Sequence, residues 1–343
     1  MLELQHTQLN GKEVGYYDVS GLSRPEWLGF RSWLGRIGGS DVGTICGVNK
    51  FKDSLTLFYE KIGLKENTFS GNKYTTLGSF QEESIRQMWC HGDTLEEITT
   101  NHNNDMQIRE AHDPLWTFVR DDMPWFAANT DGLITKDPAN DYLGTGILEI
   151  KKISGRASDS YEGGIPPAYI YQLQAYMWAT HSLYGYIAAL VGESDFISRP
   201  YYVDEEIVSV VLDKCTRFYQ AVQEGKKVVA AKLSNKEKLE QIYMIEDTFS
   251  DCIGPQNWDE LNKWLLEPIN IDERKDVVQA DESLIEMAME YNAKVAAYTE
   301  AKNAKDELGG KIKLAMQRKG AKHATFPEGS IKFNKRLSVK IFS

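Results

Sequence analysis

The chain has 343 residues, 42% hydrophobic with eight Trp, which is enough for one large domain with appendages or for two domains. No stretch approaches a membrane span, and Met1-Leu2-Glu3-Leu4-Gln5 lacks the basic start and apolar run of a secretory leader, so a soluble, cytoplasmic chain is expected. Cys46, Cys90, Cys215 and Cys252 lie far apart with no Cys-x-x-Cys pair, which argues against a zinc knuckle, a disulfide framework or an iron–sulfur centre. The net charge is −11, but residues 311–343 hold nine Lys or Arg against the single acid Glu328, leaving 30 basic and 49 acidic residues before them. A basic tail on an acidic body suits local contact with DNA, and suits a solvated terminus equally well.

In chain order, Arg24-Pro25-Glu26-Trp27 opens a helix with Pro in its first turn. Gly38-Gly39-Ser40-Asp41 reads as a tight turn feeding a helix N-terminus, an ordinary N-cap or a place for an anion. Helices are expected over Ser54 to Ile62, ending at Gly63, and over Thr76–Trp89, where Ile85 and Trp89 share a face. Met106–Ile108, Trp116–Val119 and Trp125–Ile134 read as strands. Gly163-Gly164-Ile165-Pro166-Pro167 breaks the chain before a helix over Ala168–Thr180. Tyr184–Val191 and Ser198–Val203 read as strands, and Glu205–Glu224 as a long helix. This alternation predicts an α/β class with a central mixed sheet flanked by helices.

Residues 231–280 are charged and weakly patterned and read as a partly ordered linker. Over 281–318, Leu284, Ala288, Tyr291, Val295 and Tyr298 step by four and three like an amphipathic helix, interrupted by Gly309-Gly310. Within 319–343, a basic β-like tail, Ile331–Asn334 and Leu337–Ile341 alternate like a terminal hairpin. There is no internal repeat.

The chemistry-bearing pattern is Asp131 in Asn129-Thr130-Asp131-Gly132-Leu133, followed by Leu148-Glu149-Ile150-Lys151. On a strand, Glu149 and Lys151 share a face and Ile150 takes the other. A strand near Asp131 can pair with this one through the turn-rich Lys136–Asp141, bringing two carboxylates and an ammonium to one sheet edge. Two acids can hold a hard divalent cation, and a neighbouring lysine can orient or deprotonate a water. The bland account is a solvated strand face. Against it, Ile147, Leu148 and Ile150 make the strand apolar around the charges, and buried charge demands partners.

Taken in order, Arg31 to Asp41, Gly78 to Glu82, Asn129 to Leu133, Leu148 to Lys151 and Gln172 to Trp178 resemble the motifs of the phage-type YqaJ / lambda exonuclease group of the PD-(D/E)xK nuclease superfamily. The resemblance covers roughly residues 24–225 and implies a nuclease core over residues 1–230. It implies Glu82, Asp131, Glu149, Lys151 and Gln172 as catalytic residues. Metal ligands would be Glu82, Asp131, Glu149 and the Ile150 carbonyl, holding Mg²⁺, with Mn²⁺ as a substitute and two ions per site. The family's Gly-x3-Glu spacing selects Glu82 over Glu83. Gln172 would bond the attacking water or Lys151, and Tyr176 reads as packing. Ser40, with either Arg31 or Arg36, would hold the 5′ phosphate of a DNA end.

The implied function is a metal-dependent 5′→3′ exonuclease on linear double-stranded DNA, leaving 3′ single strands for recombination by annealing. By the same resemblance, the setting is a bacterial or phage-infected cell. The partners would be double-stranded DNA ends, a single-strand annealing protein and further copies in a trimeric ring. One departure is Thr130, where the family commonly has Pro before the first catalytic Asp. The alternatives are another PD-(D/E)xK nuclease, RecB-like or an endonuclease, and a catalytically silent DNA-end-binding scaffold. No Gly-x4-Gly-Lys-Ser/Thr motif is present, which argues against an intrinsic ATP-driven helicase.

Overall fold

The computed structural model describes residues 2–66, 73–155, 164–192, 194–254, 281–319, 322–326, 329–333 and 337–341. They fall into two compact units, Met1–Glu273 and Arg274–Ser343.

The first unit is built on two five-stranded mixed sheets. One runs β1 (Gln5–Leu9), β2 (Lys12–Asp18), β5 (Trp116–Arg120), β6 (Met123–Ala128) and β3 (Ile37–Gly38). The other runs β10 (Asp195–Tyr202), β9 (Tyr184–Val191), β8 (Gly146–Ile153), β7 (Gly132–Lys136) and β4 (Glu110–His112). Pairing is antiparallel except for β3 with β6 and β8 with β9. The second parallel pair needs a crossover, and α6 (Pro167–Thr180) supplies it.

Strand β8 is apolar on both faces. Ile147 and Ile153 join a large core with α2 (Gly39–Ile45), α3 (Ser54–Ile62), α6 and α7 (Glu205–Ala230). Leu148 and Ile150 point the opposite way, into a smaller core with Ile85 and Trp89 of α4 (Lys73–His91). Helix α1 (Arg24–Leu34) begins with Pro25 in its first turn and an N-cap box between Ser23 and Glu26. Helix α3 ends at Gly63 with φ +82°, the left-handed turn that glycine adopts most readily.

Several expectations are corrected. The apolar run Trp125–Ile134 is not one strand: β6 and β7 belong to different sheets, and Asn129-Thr130-Asp131 is the corner between them. Periodicity cannot reveal such a corner because both flanks are apolar. The hydroxyl of Thr117 pins it by donating to Asn129 Oδ1 at 2.7 Å. Met106–Ile108 is not a strand either. The N–H groups of Ile108 and Arg109 bond the Cys90 carbonyl at the end of α4, and the strand forms later, at β4. The stretch 231–280, read as a linker, contains α8 (Asn235–Thr248), following α5 (Leu95–Asn103) and the others in chain order. Its Ile242 and Ile245 are buried, and the Tyr59 hydroxyl donates to Glu246 at 2.6 Å. Residues 255–280 lie outside the described residues.

In the second unit, α9 (Glu282–Arg318) runs straight through Gly309-Gly310, which therefore do not interrupt it. Each glycine costs a helix only about 1 kcal/mol, which a 37-residue helix absorbs. The tail is a three-stranded meander rather than a hairpin: β11 (His323–Phe326), β12 (Gly329–Phe333) and β13 (Leu337–Ile341).

Candidate active site

The register of β7 on β8, with Gly132 opposite Leu148, sets Asp131 beside Glu149 just where the two strands part. With no β7 backbone left to pair it, the N–H of Ile150 donates to Asp131 Oδ2 at 2.8 Å. In a strand a residue's N–H and C=O point toward the same neighbour, so the Ile150 carbonyl faces the Asp131 side too. The Ile150 side chain is buried on the other face.

Glu149 is 1% exposed. Its Oε1 is ion-paired to the Lys151 ammonium two residues along the same face, and it accepts from Gln172 Nε2 at 2.7 Å. Its Oε2 is buried and has no hydrogen-bond partner among the described residues. Burial and the nearby Asp131 push the Glu149 carboxyl up to about 8. Asp131 is also raised, by burial, against the opposing pull of Lys151 and the Ile150 N–H. Burial alone would lower the Lys151 pKa, but Glu149 and Asp131 hold it above its ordinary value. The two carboxylates thus favour the charged form of Lys151. Its ammonium also lies 5.1 Å from the Tyr169 ring centre.

Glu82 reaches the same site from α4. Burial raises its carboxyl first and the charge of Asp131 second, while Lys151 lowers it. Glu83, its rival in the sequence, is exposed and pairs with Arg86 and Gln87 instead. Gln172 bonds Glu149 and, at 3.1 Å, the Tyr176 hydroxyl, while Tyr169 of the same helix faces Lys151. Tyr176 packs as expected, and tightly. A Cβ added at Gly39 would lie 2.2 Å from its ring.

Of the three residues assigned to a 5′ phosphate, Arg31 and Ser40 lie at the start of α2 and Arg36 turns elsewhere. Ser40 is exposed in the first turn of the seven-residue α2. Arg31 stacks 4.7 Å above the Trp27 ring, with a guanidinium nitrogen 3.1 Å from where a Gly38 Cβ would sit, so it overlies the start of α2. Arg36 instead donates to the Phe126 carbonyl at 3.4 Å. The N-terminal amide of that turn is already engaged, since Gly38 N–H donates to Asp41 and Asp41 pairs with Lys61 at 2.7 Å.

Two residues escaped the sequence reading. Asp113, just after β4, adds negative charge near both Glu82 and Asp131. Only the pairing of His112 with Leu133 brings it there, and no local pattern marks it. Arg86 donates to the Asp131 carbonyl, and its spacing of four from Glu82 was the available signal. Among the described residues, no three carboxylate, imidazole or thiol side chains form a finished cation cage. The donor chemistry nevertheless suits a hard divalent ion, since Glu82, Asp131 and Glu149 are oxygen donors close enough to shift one another's carboxyls upward. A polar cavity of about 230 Å³, lined by His6, Arg120, Asp122 and His181 among others, contains none of these residues.

An uncharacterized protein of Bacillus subtilis (strain 168), YqaJ, is 24% identical over 260 residues, covering 68% of this chain and 74% of that protein. An alkaline exonuclease (LHK-Exo) from Laribacter hongkongensis is similar at 15% identity and a TM-score of 0.42, over 64% of this chain and 99% of that one. A phage related exonuclease from Haemophilus somnus 129PT is similar at 13% identity and a TM-score of 0.36, over 55% and 96%. No helix among the described residues is long and apolar enough to cross a membrane. Residues 26–182, which include Glu82, Asp131, Glu149, Lys151 and Gln172, match the model of the YqaJ-like viral recombinase domain.

Proposed function

We propose that the chain is a divalent-cation-dependent 5′→3′ exonuclease acting on the ends of linear duplex DNA and leaving 3′ single strands for recombination by annealing. The observation that carries this reading is Glu149: a buried carboxylate with one oxygen held by Lys151 and Gln172 and the other without a partner among the described residues. Stability alone gives no reason to bury such a group. The recombinase family adds the setting, and the polarity comes from the family resemblance.

Asp131, Glu149, Glu82 and the Ile150 carbonyl would hold Mg²⁺ or Mn²⁺, two ions per site. When bound, such ions activate a water and neutralise charge on the leaving oxygen. The protein's own part is positional. Gln172 fixes the rotamer of Glu149 through Oε1 and leaves Oε2 for the ion. The Ile150 amide fixes Asp131. Lys151, held as a cation, orients the water and offsets charge growing on the phosphorane. Ser40 and Arg31 would take the 5′ phosphate. Arg36, turned to the β6 backbone, supports that clamp indirectly. Duplex grip would come from phosphate contacts without base readout. A trimeric ring and an annealing protein complete the proposal.

The test incubates the full chain with 5′-phosphorylated linear duplex and Mg²⁺, beside Lys151→Ala and an EDTA control. Mononucleotides should leave one defined end, only with metal and only from the wild type. If wild type and mutant both retard DNA while neither degrades it, the scaffold reading replaces this one. Cleavage of closed circles would indicate an endonuclease of the same superfamily.

A further inference from the structure

Helix α4 contributes more to this site than Glu82. Arg86 follows Glu82 by four residues, so both project from one side of the helix toward the start of β7. Arg86 is 9% exposed. One guanidinium nitrogen, Nη2, donates to the backbone carbonyl of Asp131 at 2.9 Å, and the other, Nη1, is ion-paired to Glu83. Glu83 is itself held by Gln87 Nε2 at 2.7 Å, and Gln87 Oε1 accepts from Gln107 at 3.2 Å. The chain at Asp131 needs such a holder because it turns a corner between two sheets, where neither ladder includes it.

We infer that Arg86, oriented by Glu83, is a positioning residue for this site: it clamps the Asp131 backbone and thereby sets the Asp131 carboxylate against Glu82 and Glu149. This rests on the nuclease reading above. The physical case is that a charged donor on a buried carbonyl makes a strong, directional bond. The planar fork of arginine reaches Asp131 and Glu83 from two separate nitrogens, whereas a lysine carries all its donors on one. The guanidinium also places a positive charge near the Asp131 carboxylate. A group that orients a ligand in this way acts on the chemistry through the ligand's geometry.

The test compares Arg86→Lys, Arg86→Met and Glu83→Gln with the wild-type full chain. Two readouts are taken: kcat and KM on 5′-phosphorylated duplex, and Mn²⁺ binding to the DNA-free protein by electron paramagnetic resonance. Both Arg86 variants should lower kcat, and weaken Mn²⁺ binding, by about ten- to hundredfold, with KM for the DNA end unchanged. Glu83→Gln should move both quantities the same way by less. Arg86→Lys should not restore the wild-type values, because it keeps the charge and loses the fork. If Arg86→Met does not fold, Arg86→Lys and Glu83→Gln decide the matter. Folded Arg86 variants that keep wild-type Mn²⁺ affinity overturn this inference alone, whatever their stability. A wild type that neither binds Mn²⁺ nor digests DNA overturns the nuclease reading together with it.

Discussion

Helices α6 and α9 handle their side chains in opposite ways. Eight of the fourteen residues of α6 are buried, including the polar Gln172, Gln174 and Thr180. Among the 37 residues of α9, Met316 is the one that is buried, and Leu284, Tyr291, Val295 and Tyr298 are exposed. Each buried polar group of α6 has work to do. Gln172 holds Glu149, and Gln174 donates to the Tyr202 carbonyl at 2.7 Å while accepting from Asp204 N–H at 2.9 Å. Burying an amide is costly unless its bonds are met, so a helix that buries several is positioning something. A helix that buries almost nothing tolerates change.

That contrast can be tested from its strongest end downward. Glu149→Ala removes the carboxylate that α6 holds in place and should lower nucleotide release by about 10²–10³-fold, with DNA retardation retained. Retained activity would mean that Gln172 orients a bystander. Next, Gly39→Ala forces a Cβ to within 2.2 Å of the Tyr176 ring on α6, a clash that should cost about 1–3 kcal/mol and lower Tm. Adding Tyr176→Leu to that variant should restore part of the loss. A Gly39→Ala protein as stable as wild type would show that the ring is not seated there.

The third effect is on pH dependence in EDTA. Folding raises the Glu149 carboxyl from its ordinary 4.5 to about 8, so between these values the folded protein holds a proton that the unfolded chain has released. The stability from this group is fully present below 4.5 and falls as pH rises toward 8. Wild-type Tm should therefore drop from pH 5 to pH 8.5, and Glu149→Gln should flatten that drop. An equal slope in both proteins would place the titration elsewhere. Smallest of all, Val295→Ala on the exposed side of α9 should change stability by no more than about 0.5 kcal/mol. A larger loss, read by chemical denaturation, would mean that this face of α9 is covered in solution.

Most of the elements that carry the site were legible. The strand of Glu149 and Lys151, the helix with Ile85 and Trp89, and the helix of Gln172 each have a local signature: alternation, i to i+4 apolar spacing, or a Pro-Gly break. The choice of Glu82 over Glu83 rested on family spacing; in the structure Glu83 pairs with Arg86 and Gln87 on an exposed face. Less was legible where two apolar segments abut. Trp125–Ile134 hid a corner between sheets, and the weakly patterned 235–248 formed a helix because Ile242 and Ile245 found a core to enter.

The residues alone settled which chemical groups are present and which of them share a strand or helix face, because alternation and the helical repeat act over a few residues. Tertiary structure alone decided that Asp131 stands opposite Glu149, that Gln172 of α6 bonds Glu149, and that Asp113 and Arg86 crowd the same acids. Those outcomes depend on strand register and helix crossing between segments far apart in the chain. A shift of one residue would turn Glu149 to the opposite face of its sheet, and no local pattern encodes that choice.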